Sequence, residues 1–457
     1  MISMIRFYIA LWAAKLSQFL LRLLGRKGTY FAGKLAIKLC PDFIARIGRP
    51  KTLIGVTGTN GKTTVSNMLN DVFASWGIEL MNNRYGSNVN AGVASALIES
   101  AGFTGKCKKD IGVLEIDERS ARLIYPYLKP DYLLITNLFR DSMRRNVHPQ
   151  YIADILTKYI PKESKLILNA DDLISSSVAP ANDRCYFGIN RLPNEPEARE
   201  NIVRDVRICP VCSQRLVYDF RRYNHIGKAY CPDCGFTSPK PNYLLDSIDF
   251  DSAVMSVKES GKTHNYKLVA SAVYNIYNAL SVVALLREMG YPADKIISAF
   301  DSLKVVQSRF WEEEISGKPL TVIMAKGLNA VACTRSFDYV SSEPGTKSVV
   351  LMLDDVFDEK ESSENIAWLY DADFEFLNDP NITQIVTVGA RSLDSKVRLL
   401  IAGVDESKIV AVTNEKEAAT KVDIADADKI FLLYELYRYD SAVAVRNQIA
   451  QRMKEEL

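Results

Sequence analysis

Histidine is nearly absent, with only His148, His225 and His264 in 457 residues. A buried Ser-His-Asp or Cys-His catalytic device built wholly from this chain is therefore not expected. No sign of charge prevails: 57 Lys+Arg stand against 55 Asp+Glu, a net +2, which removes the electrostatic case for wholesale nucleic-acid binding. Eight cysteines in a chain of this length do not make a disulfide scaffold. There is no internal repeat and no low-complexity tract. With 47% hydrophobic and 25% charged residues, the balance is that of a soluble globular protein, not of a disordered, collagen-like or coiled-coil chain. A long apolar run is also missing from Met1–Leu24. Its longest uncharged stretch, Phe7–Ala14, is too short to span a bilayer, and Lys15, Gln18 and Arg22 interrupt the residues after it. No small-residue cleavage site marks it for export, so the expected compartment is the cytoplasm. The expectation is an amphipathic helix ended near Gly25, its apolar face packed on the next domain. Loose attachment to the inner membrane surface is the alternative.

The chain does have a rhythm of strand and helix. Thr52–Thr57, Asp110–Ile116, Asp131–Thr136 and Lys165–Leu168 read as strands, with helices over Thr63–Trp76 and Arg119–Leu128. Cys-, Arg- and Tyr-rich sequence from Asn201 to Pro241 breaks the pattern. A hairpin over Ala253–Val269 and a strong helix over Asn275–Met289 come next. A second series carries strands at Leu320–Met324, Ser348–Leu353, Gln384–Val388, Ile409–Val412 and Ile430–Leu433, closed by a helix over Ser441–Lys454. Alternating elements imply α/β layers on parallel sheets. At roughly 100–200 residues per domain, the length suggests about three units.

One segment between strand and helix has the context of a phosphate loop: Thr57-Gly58-Thr59-Asn60-Gly61-Lys62-Thr63-Thr64. Glycines let backbone N–H groups turn onto phosphate oxygens, and the helix N-terminus adds a favourable field. Lys62 would reach the β- and γ-phosphates of a nucleotide, and the Thr63 hydroxyl would ligand Mg²⁺. Val56 stands where the strict G-x-x-x-x-G-K spacing has its first glycine, so the loop is a variant. The bland alternative is a glycine-rich turn with a chance Lys-Thr.

Cys209-Pro210-Val211-Cys212 and Cys231-Pro232-Asp233-Cys234 form paired C-x₂-C knuckles with 18 residues between them. Four thiolates at this spacing close a tetrahedron around Zn²⁺. A filled four-Cys shell leaves no open position, so the metal would be structural. Two disulfides are the competing reading. Cys40, Cys107, Cys185 and Cys333 read as core or surface thiols, and His225, inside the ribbon, is expected at the surface, with a spare metal ligand as the alternative.

The loop resembles that of the Mur ligase family. Other segments fall in the family's order: Leu114-Glu115-Ile116-Asp117-Glu118, Thr136-Asn137-Leu138-Phe139-Arg140-Asp141, Asn169-Ala170-Asp171-Asp172 and Tyr274-Asn275-Ile276-Tyr277-Asn278-Ala279. Combined with the paired knuckles and Asp371-Ala372-Asp373-Phe374-Glu375 after Trp368, they resemble the MurT branch over nearly the whole chain. The resemblance implies a Mur ligase central-type parallel-sheet ATPase domain at 51–310 with a zinc-ribbon insertion at about 203–241. It also implies an N-terminal helical segment at 1–50 and a C-terminal α/β Rossmann-like domain at 311–457. ATP and Mg²⁺ are implied, bound by Gly58 to Thr64, Asn137, Asn275 and Arg309, with Glu115 and Thr63 on the Mg²⁺ and Lys62 and Glu115 catalytic. For Asn275 a helix N-cap is an alternative role, and for Arg309 a solvated surface charge.

The implied reaction is amidation of the D-glutamate α-carboxylate of the lipid II stem peptide through an acyl-phosphate. Ammonia would come from a separate GatD-like glutaminase subunit. The family places an Asp that completes that partner's triad before the Asp371 segment. Here the stretch from Asp354 to Trp368 carries an insertion. Counting forward from Leu353 selects Asp358, and counting back from Trp368 puts Asn365 at the family's second Asp, so Asp358 or Asp355 is the candidate. Lys326-Gly327-Leu328-Asn329-Ala330 and Arg144 also depart from the pattern. A stand-alone ligase with another nitrogen donor or acceptor, and a non-catalytic nucleotide-binding paralogue, are the competing readings. Intact Lys62, Thr63 and Glu115 count against the latter.

Overall fold

A computed structural model describes residues 2–25, 29–84, 86–140, 148–192, 195, 201–269, 272–303, 310–326, 329–355 and 366–456. The chain divides into two compact units. The first holds Met1–Phe139, Pro149–Arg199 and Asp205–Val305; the second holds Arg140–His148, Glu200–Arg204 and Val306–Leu457.

In the first unit, helices α1 (Ile2–Leu23), α2 (Phe31–Leu39) and α3 (Phe43–Arg46) precede β1 (Thr52–Thr57) and α4 (Lys62–Ser75). Then come β2 (Met81–Asn82), α5 (Asn90–Ser100), β3 (Ile111–Glu115), β4 (Tyr132–Ile135), β5 (Lys165–Asn169) and β6 (Arg184–Ile189). Hairpin β7 (Val217–Tyr223) and β8 (Ile226–Tyr230) stands apart as a two-stranded sheet. Strands β9 (Tyr243–Asp249), β10 (Val254–Glu259) and β11 (Lys262–Lys267) complete a nine-stranded sheet ordered β11-β10-β9-β6-β5-β4-β1-β3-β2. All its pairings are parallel except those of β10 with β9 and β11.

The order β4-β1-β3 positions the site. The chain leaves β1, pairs β3 on one side of it, then returns to place β4 on the other. The carboxyl ends of these strands meet at a switch point, where open α/β sheets bind ligands. Val56 pairs with both Glu115 and Leu134, so β1, β3 and β4 end within a residue of one level.

The insertion makes an unusual crossover. β6 and β9 are parallel neighbours, Phe187 opposite Tyr243. Parallel neighbours need a long connection, ordinarily a helix; here the Cys-containing segment and hairpin β7–β8 serve. The hairpin is tied down by Arg222, which is buried. Its guanidinium donates to Tyr277 Oη at 2.8 Å, Ile189 O at 3.1 Å and Asn190 O at 2.6 Å, and pairs with Asp171 at 3.4 Å and Glu195 at 2.7 Å.

The second unit is a six-stranded sheet ordered β12-β13-β17-β14-β15-β16. Its strands are β12 (Phe310–Ile315), β13 (Lys318–Met324), β14 (Lys347–Met352), β15 (Ile382–Val388), β16 (Ile409–Val412) and β17 (Lys429–Tyr434). Only β12–β13 is antiparallel. The five strands expected after Arg309 are β13 to β17. β12 is an addition to them, because Glu312-Glu313-Glu314 hides alternation; it forms an edge hairpin in which Thr321 donates to Glu312.

Two expectations need correction. The helix expected over Arg119–Leu128 is a 3₁₀ turn, Glu118–Ser120, and one α-turn, Ala121–Ile124. Asp117 caps the start and Pro126 stops the run. Helix α1 does end before Gly25, but it is not simply amphipathic. Phe7, Ala10, Leu11 and Ala14 are buried inward, while Ile5, Ile9, Trp12 and Leu16 lie exposed outward.

Arg222→Ala would leave Asp171 and Glu195 without their cation in a buried setting, and should cost about 3–5 kcal/mol. Urea unfolding checks this; a loss under ~1 kcal/mol would show that the hairpin is not anchored by this pair.

Candidate nucleotide and metal sites

The loop between β1 and α4 is shaped by two glycines. Gly58 (φ +125°) lies so close to β4 that a Cβ would sit 2.2 Å from Thr136 Oγ1; Gly61 (φ +89°) would meet Asn278 Oδ1 at 2.3 Å. Both need the left-handed region and the missing side chain. Asn60 is gripped on both peptide groups: its N–H donates to Asn137 Oδ1 at 3.1 Å, and its carbonyl accepts from Asn137 Nδ2 at 3.0 Å and Thr136 Oγ1 at 2.6 Å. Thr59 N–H donates to Asn137 O at 2.8 Å, and Phe139 N–H to Thr59 Oγ1 at 2.9 Å. Asn137, expected beside a nucleotide, thus has its carboxamide on the loop itself.

Lys62 opens α4 and folds back. Its ammonium pairs with Glu118 at 3.0 Å and donates to Gly58 O and, at 3.4 Å, Thr59 O. Burial opposes its charge, but the carboxylates of Glu118 and Glu115 outweigh this and hold its pKa above the usual lysine value. Thr63 Oγ1 donates to Glu115 Oε2 at 2.9 Å, and Thr64 lies in the same first turn. Asn88 donates to the other carboxylate oxygen at 3.2 Å, and Asn83 brackets the Glu115 peptide at 2.8 and 2.9 Å.

These residues suit a divalent cation and a polyphosphate. The hydroxyl of Thr63 and the carboxylate of Glu115 are hard oxygen donors of the kind Mg²⁺ takes. Thr57 Oγ1 and Asn60 Nδ2 are buried in the loop without a hydrogen-bond partner. Three carboxylates, of Glu115, Asp117 and Glu118, beside an anion loop would repel bare nucleotide, so binding there calls for the cation. Asn275 lies in the first turn of the helix Val273–Glu288 but does not cap it; Ala272 is the N-cap, without a side-chain bond. Asn278, one turn on, is the residue against Gly61. Arg309 and Asp358 lie outside the described residues.

The knuckle cysteines converge. All four Sγ atoms lie within 4.8 Å of one another, with Cys209–Cys234 at 3.6 Å and Cys212–Cys231 at 3.5 Å. These are not disulfide distances, and the cysteines are free thiols. The residue after each knuckle adopts positive φ, Ser213 at +63° and Gly235 at +76°. The donor set therefore fits a tetrahedral Zn²⁺. His225 is not the surface residue expected. It is buried, its Nε2 lies 3.1 Å from Asp172 Oδ1, and its ring packs on Phe139. Asp172 also accepts from Leu138 N–H at 2.8 Å and caps the helix Leu173–Ser176. The ribbon hairpin is thereby joined to the strand end that grips the loop.

Residues 56–198 match the Mur ligase middle domain, and residues 327–437 match the MurT ligase C-terminal domain. The "lipid II isoglutaminyl synthase (glutamine-hydrolyzing) subunit MurT" of Staphylococcus aureus (strain COL) is 30% identical over 421 residues, covering 92% of this chain and 93% of that protein. The chain belongs to the MurT family.

A MurT subunit from Streptococcus pneumoniae (strain ATCC BAA-255 / R6) is 28% identical over 97% of both chains. Among solved structures, a pseudomurein peptide ligase type C from Methanothermus fervidus superposes with TM-score 0.67 at 20% identity, covering 91% of this chain and 84% of that one. MurF ligase from Thermotoga maritima in complex with ADP gives 0.58 at 15%, covering 94% and 85%. These likenesses establish the Mur ligase fold, and the chain is a ligase of that family.

Its MurT-type C-terminal unit carries a buried acidic pair at the end of β14. Asp354 accepts from Ala390 N–H at 3.0 Å and pairs with Arg438 at 3.2 Å, while the Asp355 carbonyl accepts from Arg438 at 3.2 Å. Asp355, a candidate for a partner's triad, is buried.

Glu118, Asn83, Asn88 and Asn278 escape sequence reasoning as site residues. Glu118 and Asn278 lie inside the family-like segments, a usable signal; Asn83 and Asn88 have none, because only folding brings them to Glu115.

For this family member, stripping metal with a strong chelator should lower the thermal midpoint by at least about 4 °C, and cobalt(II) loading should give thiolate charge-transfer bands that Cys212→Ser weakens. An unchanged midpoint and no bands would exclude the metal. For Asp354, burial raises the carboxyl to about 6 although Arg438 opposes it. A folded pKa above the unfolded value means protonation favours the folded state, so this group's contribution grows as pH falls through 6 and is lost as pH rises. Relative to Asp354→Asn, the unmutated protein should gain about 1 kcal/mol between pH ~7 and pH ~5; denaturant titrations at the two pH values check the sign.

Proposed function

We propose that the chain is the synthetase subunit of a two-chain amidotransferase. It converts the α-carboxylate of D-glutamate in the lipid II stem peptide to the amide of D-isoglutamine. A carboxylate is a poor electrophile. Transfer of the γ-phosphoryl group of ATP to a carboxylate oxygen gives an acyl-phosphate and ADP. Ammonia then attacks the acyl carbon, phosphate leaves with the C–O electron pair, and the nitrogen gives up one proton, which departs with the phosphate or to solvent. Ammonia comes from glutamine, hydrolysed to glutamate by a GatD-like subunit, which fits a chain with three histidines.

The observation that carries the reading is the apposition of Lys62, Thr63 and Glu115 beneath one glycine loop. With the N–H groups of Thr59 and Asn60 taken by Asn137, those of Gly61 to Thr64 at the start of α4 would face the phosphates, and Lys62 would exchange Glu118 for the transferring group. Thr63 and Glu115 would hold Mg²⁺, which would supply positive charge beside the phosphate oxygens. Asn88 and Asn83 keep Glu115 oriented, and Asn137 holds the loop. Asn275 and Arg309 complete the nucleotide contacts, as the family likeness implies. The four cysteines would hold a structural Zn²⁺. In this reading 51–310 is the ATPase domain with its ribbon, and 311–457 is the MurT-type domain. The burial of Asp355 favours Asp358 as the residue offered to the glutaminase.

Lys62→Ala should lower ATP turnover at least ~10³-fold while leaving the circular dichroism spectrum unchanged. Glutamine-dependent amidation, followed by mass spectrometry of the stem peptide, should appear only when a GatD-like chain is added. Turnover supported by ammonium alone and insensitive to that chain would favour a stand-alone ligase. An empty loop at millimolar magnesium and non-hydrolysable ATP analogue would overturn the synthetase reading.

A further inference from the structure

Helix α1 is long and apolar enough, by length and composition, to cross a membrane. Its inner face argues against crossing. Phe7, Leu11 and Ala14 are buried, Lys15 donates to Ile98 O at 2.9 Å and to Ala101 O at 2.6 Å, and Gln18 donates to Ser95 O at 3.2 Å. These tie α1 to α5 and the turn after it. The opposite face is what a docked helix should not show. Ile5, Ile9, Trp12, Leu16, Phe19 and Leu23 recur at spacings of three and four, a stripe on one side of a helix, and each is at least 54% exposed. Phe103 extends the stripe at 78% exposure: Trp12 Nε1 donates to its carbonyl at 3.1 Å, and Gly105 abuts Phe7.

Charge around the stripe is one-sided. Between Met1 and Pro41 there are seven Lys and Arg and no Asp or Glu. Lys34 and Lys38 on α2 and Lys106 and Lys108 beside Phe103 are exposed. Nearby acids are already paired, Glu99 with Arg22 and Asp42 with Arg46. Burial, and after it the charges of Lys108 and Arg22, lower the Lys15 pKa. An apolar ridge with a tryptophan, rimmed by lysines, complements a surface that offers hydrocarbon below and phosphate at the rim.

We propose that the outward face of α1, together with Phe103, seats on the surface of an anionic lipid bilayer, the helix lying in the interface plane. Docking there would hold the ligase beside a membrane-borne acceptor.

The full-length protein, without ATP or acceptor, is sedimented with vesicles of phosphatidylglycerol and phosphatidylcholine and with phosphatidylcholine alone. Binding is expected to the anionic vesicles, to weaken as salt rises, and to fall at least tenfold with neutral vesicles. The double variant Ile9→Asp/Leu16→Asp should lose at least tenfold in binding with an unchanged thermal midpoint, since both side chains face outward. Should that variant fold poorly, quenching of Trp12 by brominated lipid, with Trp12→Phe as the subtraction control, gives the same answer. No binding to anionic vesicles, or binding the variant leaves intact, overturns the proposal. So does a dimer that the variant dissociates in a protein that ignores vesicles, which would assign the face to a second copy. None of these outcomes bears on ATP turnover.

Discussion

The carboxamide of Asn137 grips the Asn60 peptide from both sides, and the first unit's chemistry depends on that clamp. It fixes a loop whose two glycines sit at positive φ against β4 and the helix Val273–Glu288. Left-handed backbone and a contact inside normal Cβ distance persist only when neighbours over-determine them. The clamp, Thr136 and Asn278 are those neighbours. With the loop set, Lys62 and Thr63 emerge on the side where β3 ends, and Glu115 and Glu118 meet them there.

The ribbon belongs to the same structure and is not an appendage. It replaces a crossover helix between β6 and β9, and its hairpin sends two polar side chains inward. Arg222 satisfies Asp171, and His225 meets Asp172, whose carboxylate also accepts from Leu138 at the strand end beside Asn137. Four thiolates without a cation would be a poor anchor for such a hairpin. With one, the segment acquires the rigidity that a crossover needs.

Much of this is legible in the chain. Strands β1, β3, β4 and β5 show as apolar runs because a parallel sheet buries both faces. The glycine loop shows because a site for phosphate would demand glycine, lysine and a hydroxyl in a fixed order. The knuckles show because paired cysteines at this short spacing have few other uses. β6, β9 and β12 are less visible, since the ribbon interrupts the rhythm around the first two and a run of glutamates masks the third. Asn83 and Asn88 carry no mark in sequence; they matter through a residue 32 and 27 positions further on.

Sequence by itself therefore determined the fold class, the loop, the cysteine cluster and the family, because each rests on residue types at short spacing. Tertiary structure alone decided which partner each polar group takes. Lys62 turns to Glu118, Asn137 turns to the loop, His225 is buried when a surface place is expected, and α1 keeps an apolar face outward as well as inward. Those outcomes depend on strand order and on what a burial leaves unsatisfied, and neither is a property of any local stretch of chain.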